Sequence, residues 1–414
     1  MSQEAQSESP EQAKTVKVAS RSWVEGLSAA LLLTLVLVFA IQGAVDFDRG
    51  ELNQSGDHHL NAQSSQEAWR TGMYPDELYY PPPGVILRVF LSQLGEPAAG
   101  LVWAVIILAS LAFSLRTLVT LTQGADGSRP WLTCVLSLLL VSWYVQWDIR
   151  AINYNLVFLA LILASLKSLR AGQMGRAGFW LASSITLKLY SALIVPYWLW
   201  RRHDAAVLFT IVGLFGYFVL LPVLVLGPSS AWSLTLSWLD VVRSTAQIGF
   251  VHEYVAYKTS LRWVTSTLLG GWGVQSAAPP YWMARCFEWV WFVFVVFWIA
   301  RARPAPNGWT RPDRGLVDAS LLLMSALLMS PLLQPHQGAI LLLPAFLLVV
   351  YVLQPGVPHR GLIAVSLVIL PLALKLAPSG LGKAAMMLLS IVAFSGLLMR
   401  ASGRTLASET LTDA

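Results

Sequence analysis

Asp57 lies shortly after the first long apolar run of the chain, within Ser55-Gly56-Asp57-His58-His59. A carboxylate aimed at a hydroxyl from that position could serve as a general base. Aspartate is equally a favoured helix N-cap. Residues 60–71, with Gln66, Glu67, Ala68, Trp69 and Arg70, carry helical propensity up to the stop signals Gly72 and Pro75. Spacing alone leaves both readings open. His58 and His59 are adjacent and project apart on a helix or a strand, which argues against chelation by the pair. In Tyr79-Tyr80-Pro81-Pro82-Pro83, three prolines fix the backbone and remove donors, giving a rigid turn or a stiff linker back to the bilayer. Two residues farther along also stand out. Lys188, in Thr186-Leu187-Lys188-Leu189-Tyr190, is deep in an apolar run, where a charge either faces a bundle interior or snorkels to the interface. His336 occupies the proline-bounded turn Ser330-Pro331-Leu332-Leu333-Gln334-Pro335-His336-Gln337, where an imidazole could contact a phosphate, shuttle a proton or simply be solvated.

The composition identifies the elements that must hold these residues. Of 414 residues, 56% are hydrophobic and 12% charged, against about 25% charged in a soluble domain. The bilayer must therefore be the solvent for most of the chain. The net charge is +6, but Lys and Arg cluster in short loops between apolar runs, a pattern of membrane orientation rather than of nucleic-acid binding. The 18 Trp fall largely near the ends of those runs, as interfacial rings do. Cys134 and Cys286 have neither disulfide nor metal-type spacing. Residues 1–22 read as a disordered cytoplasmic tail, 23–400 as one transmembrane catalytic domain, and 401–414 as a cytoplasmic C-terminal tail.

Apolar runs occur near 26–45, 99–121, 131–147, 152–169, 177–200, 205–226, 284–300, 317–334, 337–353, 361–376 and 380–399, without internal repeats. Two long polar connections, 46–98 and 227–283, interrupt them. Lys14, Lys17 and Arg21 put the N-terminus inside. Alternation then puts 46–98 outside, and Arg116, Arg129, Lys167, Arg170 and Arg176 inside. If 177–200 crossed once, Arg201, Arg202, Arg301, Arg303, Arg311 and Arg314 would face outside. If it dips in and returns near Lys188 and Pro196, every basic cluster lies in the cytoplasm, and backbone of that kind is tolerated where it lines a cavity. The dip is the expected arrangement. The fold class is then an all-α polytopic membrane protein with about ten full crossings, a re-entrant helical pair, and both long loops on one outer face.

In order along the chain, these segments resemble glycosyltransferase family 87, a bacterial group with a multi-span GT-C fold that uses polyprenyl-phosphate sugars. The matching features are Asp57 after the first span, the helix ending at Gly72, Tyr80-Pro81-Pro82, Asn153-Tyr154-Asn155-Leu156, Leu187-Lys188-Leu189-Tyr190 with Arg201-Arg202, Ser260-Leu261-Arg262, and Ser330-Pro331 with His336. The sequence departs from the family pattern at Ser191, where proline is common, and at Tyr257-Lys258-Thr259. The resemblance implies inverting transfer of a hexosyl group, mannosyl as the first expectation, from a polyprenyl-phosphate donor to a glycolipid or polysaccharide acceptor. It implies Asp57 as the base, with Asp46 and Asp48 as rivals. It also implies Lys258, Arg262 and His336 around the leaving phosphate, with Lys188, Arg70 and Tyr80 behind them. Among partners it implies the lipid-linked donor, the acceptor and membrane lipids, but no nucleic acid. A resident metal is left open, since no ligand spacing supports one. The expected location is a bacterial plasma membrane with the site on its non-cytoplasmic side. Two other readings remain: a transporter or flippase of lipid-linked sugars, against which the lack of repeats counts, and an inactive scaffold.

Overall fold

The computed structural model describes residues 57–75, 78, 80–122, 129–151, 153–247, 278–301, 314–330, 335–353 and 387–399, with isolated positions at 26, 30, 31, 34, 38, 361, 364–366 and 369. The expected tails at 1–22 and 401–414 lie outside these residues, as do most of the first apolar run and the expected span at 361–376. All regular structure among the described residues is helical.

The first elements build a small layer above the bundle. Helix α1 (Asp57–Thr71) starts at Asp57 rather than at residue 60, and Gly72 ends it at φ 69°, where its N–H bonds to the Ala68 carbonyl. That left-handed terminus is one that glycine adopts without a Cβ penalty. The prolines after Tyr80 do not form a linker. Pro81 (φ −58°, ψ 156°) caps α2 (Pro82–Ser92), which opens on Pro82 and Pro83, because proline's fixed φ suits a first helical turn, where its missing N–H leaves nothing unsatisfied. The bundle proper begins with α3 (Glu96–Thr122), α4 (Pro130–Arg150) and α5 (Asn155–Arg170).

The run 177–200 is broken. Helix α6 (Met174–Leu187) ends at Lys188, whose extended backbone (φ −151°, ψ 130°) leads into a 3-10 turn (Leu189–Leu193) and the short α7 (Ile194–Trp200). At 1.5 Å per residue α6 is roughly 21 Å long, too short for a hydrocarbon core of about 30 Å. The next helix, α8 (Asp204–Leu226), includes one π-helical turn at Gly216–Leu220. Residue pairings fix its direction. A Cβ on Gly178 would lie 2.5 Å from the Ala206 carbonyl, one on Gly213 would lie 2.7 Å from Ala182, and Ser183 Oγ is 2.9 Å from the Tyr217 hydroxyl. The numbers rise together, so α6 and α8 run parallel and start at the same end. The segment between them must return to that end. It lies antiparallel to α11 (Arg314–Leu328), with Tyr190 bonded to Ser330 at 2.8 Å and Tyr197 to Asp318 at 2.8 Å. The segment dips and returns, and Arg201 and Arg202 join Arg170 and Arg176 at one end of the bundle. There Arg170 donates to the Leu121 carbonyl (2.6 Å), and Arg201 pairs with the buried Asp318 (3.1 Å).

Four described helices are long and apolar enough to cross a bilayer: Ala98–Thr122, Pro130–Ile149, Asp204–Leu226 and His336–Leu353. The last is almost wholly enclosed by its neighbours, while α8 turns Leu208, Ile211, Val212 and Phe215 outward. On α10 (Ala278–Arg301), Val290, Val293 and Phe297 are similarly exposed. Apolar faces on this scale belong against lipid. One large core joins α3 to α6 with α11, α12 (Leu342–Leu353) and Met387–Met399. A second core holds Ala68, Tyr74, Leu78, Val85, Val89, Leu234, Trp238 and Val241. Helix α9 (Pro228–Gln247) supplies its last three residues, so the two long polar connections meet in one structure at the end opposite Arg170, Arg176, Arg201 and Arg202.

Candidate active site

Four elements end at one place: the C-terminus of α4, the N-terminus of α5, the break after α6, and the 3-10 turn Pro335–Leu341 that precedes α12. Each contributes a polar side chain, buried in every case but that of the half-buried Lys188. Asp148, in the last turn of α4, is fully buried. It accepts from Asn155 Nδ2 at 2.6 Å and from the backbone N–H of Leu156 at 3.0 Å. It therefore caps α5 from a neighbouring helix, a role Tyr154 at the N-cap position has no side-chain bond to fill. The charge of the half-buried Lys188 acts on the Asp148 carboxylate. The break in the re-entrant segment thus places a cation beside a buried anion, as the cost of an isolated charge at this depth requires.

Asn153 links this pair to His336. Its Nδ2 lies 3.0 Å from His336 Nε2, across 183 residues of sequence, and its Oδ1 accepts the N–H of Tyr154 at 2.7 Å. Asn155 also donates to the His336 carbonyl at 3.1 Å. His336 is 5% exposed, and the adjacent Gln337 accepts from the Tyr190 hydroxyl at 3.2 Å. The close seating of this turn depends on Gly338, where any Cβ would run into the Tyr144 ring. From the upper layer, the Tyr80 hydroxyl reaches Asn153 Oδ1 at 3.5 Å, and the Tyr80 and Tyr154 rings meet edge to face at 5.1 Å. Arg88 of α2 is buried with its guanidinium 4.4 Å from the Tyr80 ring centre and 4.3 Å from that of Tyr154.

Of the residues singled out from sequence, the structure brings His336, Lys188 and Tyr80 to this cluster. Arg70 is exposed on the last turn of α1 and has no part in it. Asp57 opens α1, but its side chain lies outside the described residues, and Lys258 and Arg262 lie outside them altogether. Contacts that hold α1 include Gln66 bonded to Ser92 at 2.9 Å, Trp69 against Phe90, and, just past its end, Gly72 accepting from Ser233 at 3.1 Å. Sequence reasoning passed over Asp148 and Arg88. Both carried a legible signal, since each is an ionisable residue inside or at the edge of an apolar helix. Among the described residues, no group of three or more His, Cys, Asp or Glu gathers as metal ligands would.

The sequence model of glycosyltransferase family 87 matches residues 78–331, more than half of the chain. The chain belongs to glycosyltransferase family 87. The matched stretch runs from the Tyr80 turn through Ser330, so it holds Asn153, Asn155, Lys188 and Asp148, while Asp57 and His336 flank it. As a family 87 chain with several apolar spans, this is a multi-pass membrane glycosyltransferase. Among solved structures it is similar to ArnT from Cupriavidus metallidurans, crystallised with undecaprenyl phosphate. The two are 17% identical with a TM-score of 0.35, over 94% of this chain and 79% of that one. No curated protein matches the chain.

Proposed function

We propose that this family 87 protein moves a hexosyl group, mannosyl in the first instance, from a polyprenyl-phosphate donor to a hydroxyl of a glycolipid or polysaccharide acceptor. The observation that carries the proposal is the meeting of Asn153 and His336 at 3.0 Å beside the Asp148–Lys188 pair. It is a buried polar site at the end of an apolar bundle, in a chain of glycosyltransferase ancestry. A lipid-linked donor suits such a site, because its chain can stay in the bilayer while its phosphate reaches the polar cluster.

In the proposed reaction the acceptor oxygen attacks the anomeric carbon while Asp57 takes the hydroxyl proton. The anomeric carbon–oxygen bond to phosphate breaks, and its electron pair leaves with the lipid phosphate. Lys188 and His336, with Lys258 and Arg262, would stabilise the negative charge that develops there. Single displacement inverts the anomeric centre. We place the site on the non-cytoplasmic face of a bacterial plasma membrane, because the arginine-rich end of the bundle is the opposite one. A transporter has no need of a base, so the deciding experiment is transfer of labelled sugar from polyprenyl-phosphate mannose by membranes carrying Asp57→Asn. Loss of product, with Asp46→Asn and Asp48→Asn still active, supports the reading. Undiminished transfer by Asp57→Asn removes Asp57 as base, and lipid movement without covalent product removes the enzyme.

A further inference from the structure

Arg88 is 3% exposed, and its Nε and Nη2 have no hydrogen-bond partner. It forms no ion pair among the described residues. A guanidinium with idle N–H groups in an apolar interior is an expensive arrangement unless something compensates the charge. Its place over the Tyr80 and Tyr154 rings compensates part of it. The nearby acid does not, because Asp148 is committed to Asn155, Leu156 and the Lys188 charge. With Lys188 and Asp148 offsetting each other, the cluster retains one buried positive charge, on Arg88. Lysine would keep the charge but not the same contacts, since a compact ammonium cannot reproduce the several N–H groups and flat face of a guanidinium set against two rings.

We infer that Arg88 is the fixed counter-charge for the phosphate of the donor and of the lipid product, acting across the Tyr80 ring whose hydroxyl touches Asn153. The inference rests on the polyprenyl-phosphate reading and deepens it. It assigns the selection of an anionic over a neutral lipid headgroup to a residue on α2. Burial makes the charge effective, because the surrounding dielectric is low and salt does not screen it. It also makes Arg88 a positioning residue for the phosphate rather than a group that touches the reacting atoms.

The test is binding to the full-length purified protein in nanodiscs, with a short-chain polyprenyl phosphate, the matching polyprenol and inorganic phosphate as competitor. Wild type should prefer the phosphate lipid over the alcohol. Arg88→Gln, which removes the charge and keeps a planar polar group beside the rings, should reduce that preference by about tenfold or more. It should weaken competition by inorganic phosphate in parallel and leave polyprenol binding unchanged. Arg88→Lys, which keeps the charge and loses the planar group, should retain more of the preference than Arg88→Gln. A purely structural role predicts the reverse order, so Arg88→Gln behaving like wild type, or better than Arg88→Lys, overturns the inference alone. A wild-type protein without preference for the phosphate lipid overturns the donor reading and this inference with it.

Discussion

Replacing Asp148 by alanine should be among the most damaging single changes in the bundle. The carboxylate has no solvent exposure, caps α5 through the Leu156 N–H, holds Asn155 at 2.6 Å and faces the Lys188 charge. Removing one member of a fully buried pair costs about 3–5 kcal/mol, and because Lys188 is only half-buried the loss should fall toward the lower end of that range. Membrane hydrogen bonds are individually weak, about 0.6 kcal/mol on average, so most of the loss comes from Lys188. Lys188→Met alone strands the carboxylate and should also destabilise. The double variant removes both charges and should lose less than the two single losses summed, by at least about 1 kcal/mol. Reversible unfolding in mixed micelles, followed by tryptophan fluorescence, measures all three. Asp148→Ala within about 0.5 kcal/mol of wild type, or additive single losses, would refute the pairing that holds the re-entrant break in place.

Three further outcomes follow from particular contacts. Because an added methyl on Gly338 meets the Tyr144 ring, Gly338→Ala should lower stability by about 1–3 kcal/mol and shift the turn that carries His336, visible as a fall in both thermal midpoint and turnover. Gly178→Ala should separate α6 from α8, since the obstructing atoms are Ala206 and Thr210 backbone, with a similar cost of about 1–3 kcal/mol and a loss of cross-linking between engineered cysteine pairs on the two helices. His336→Ala should reduce kcat by about a hundredfold or more while the thermal midpoint moves by only a few degrees. Near-normal turnover would place His336 outside the chemistry.

Much of the architecture was legible because apolar periodicity and charge placement are local. The expected dip at 177–200 came from the placement of Arg201, Arg202 and the later basic group Arg301, Arg303, Arg311 and Arg314, and the structure puts the break in the extended backbone at Lys188. Tyr80-Pro81-Pro82 marked the right place but the wrong element. Proline both stiffens a linker and opens a helix, and only the packing of α2 on α1 and α9 decides between them. Asn153 and Asn155 were noticed as part of a motif, yet their partner Asp148 precedes them on another helix. His336 was singled out as a loop histidine, and burial against Asn153 depends on a contact 183 residues distant. Arg88 was passed over because α2 is too short to be read as a span, although an ionisable residue within an apolar stretch was itself a signal.

If a lipid-phosphate sugar is bound and spent where Asn153, Lys188 and His336 converge, the bound donor must lie within reach of that cluster. A donor analogue with a photoreactive group next to the phosphate, cross-linked to the purified protein and mapped by peptide mass spectrometry, tests this most directly. Adducts should fall on the Tyr80 turn, residues 148–156, the segment around Lys188 and the His336 turn. Adducts concentrated at the opposite end, around Arg170, Arg176 and Arg201, would contradict it.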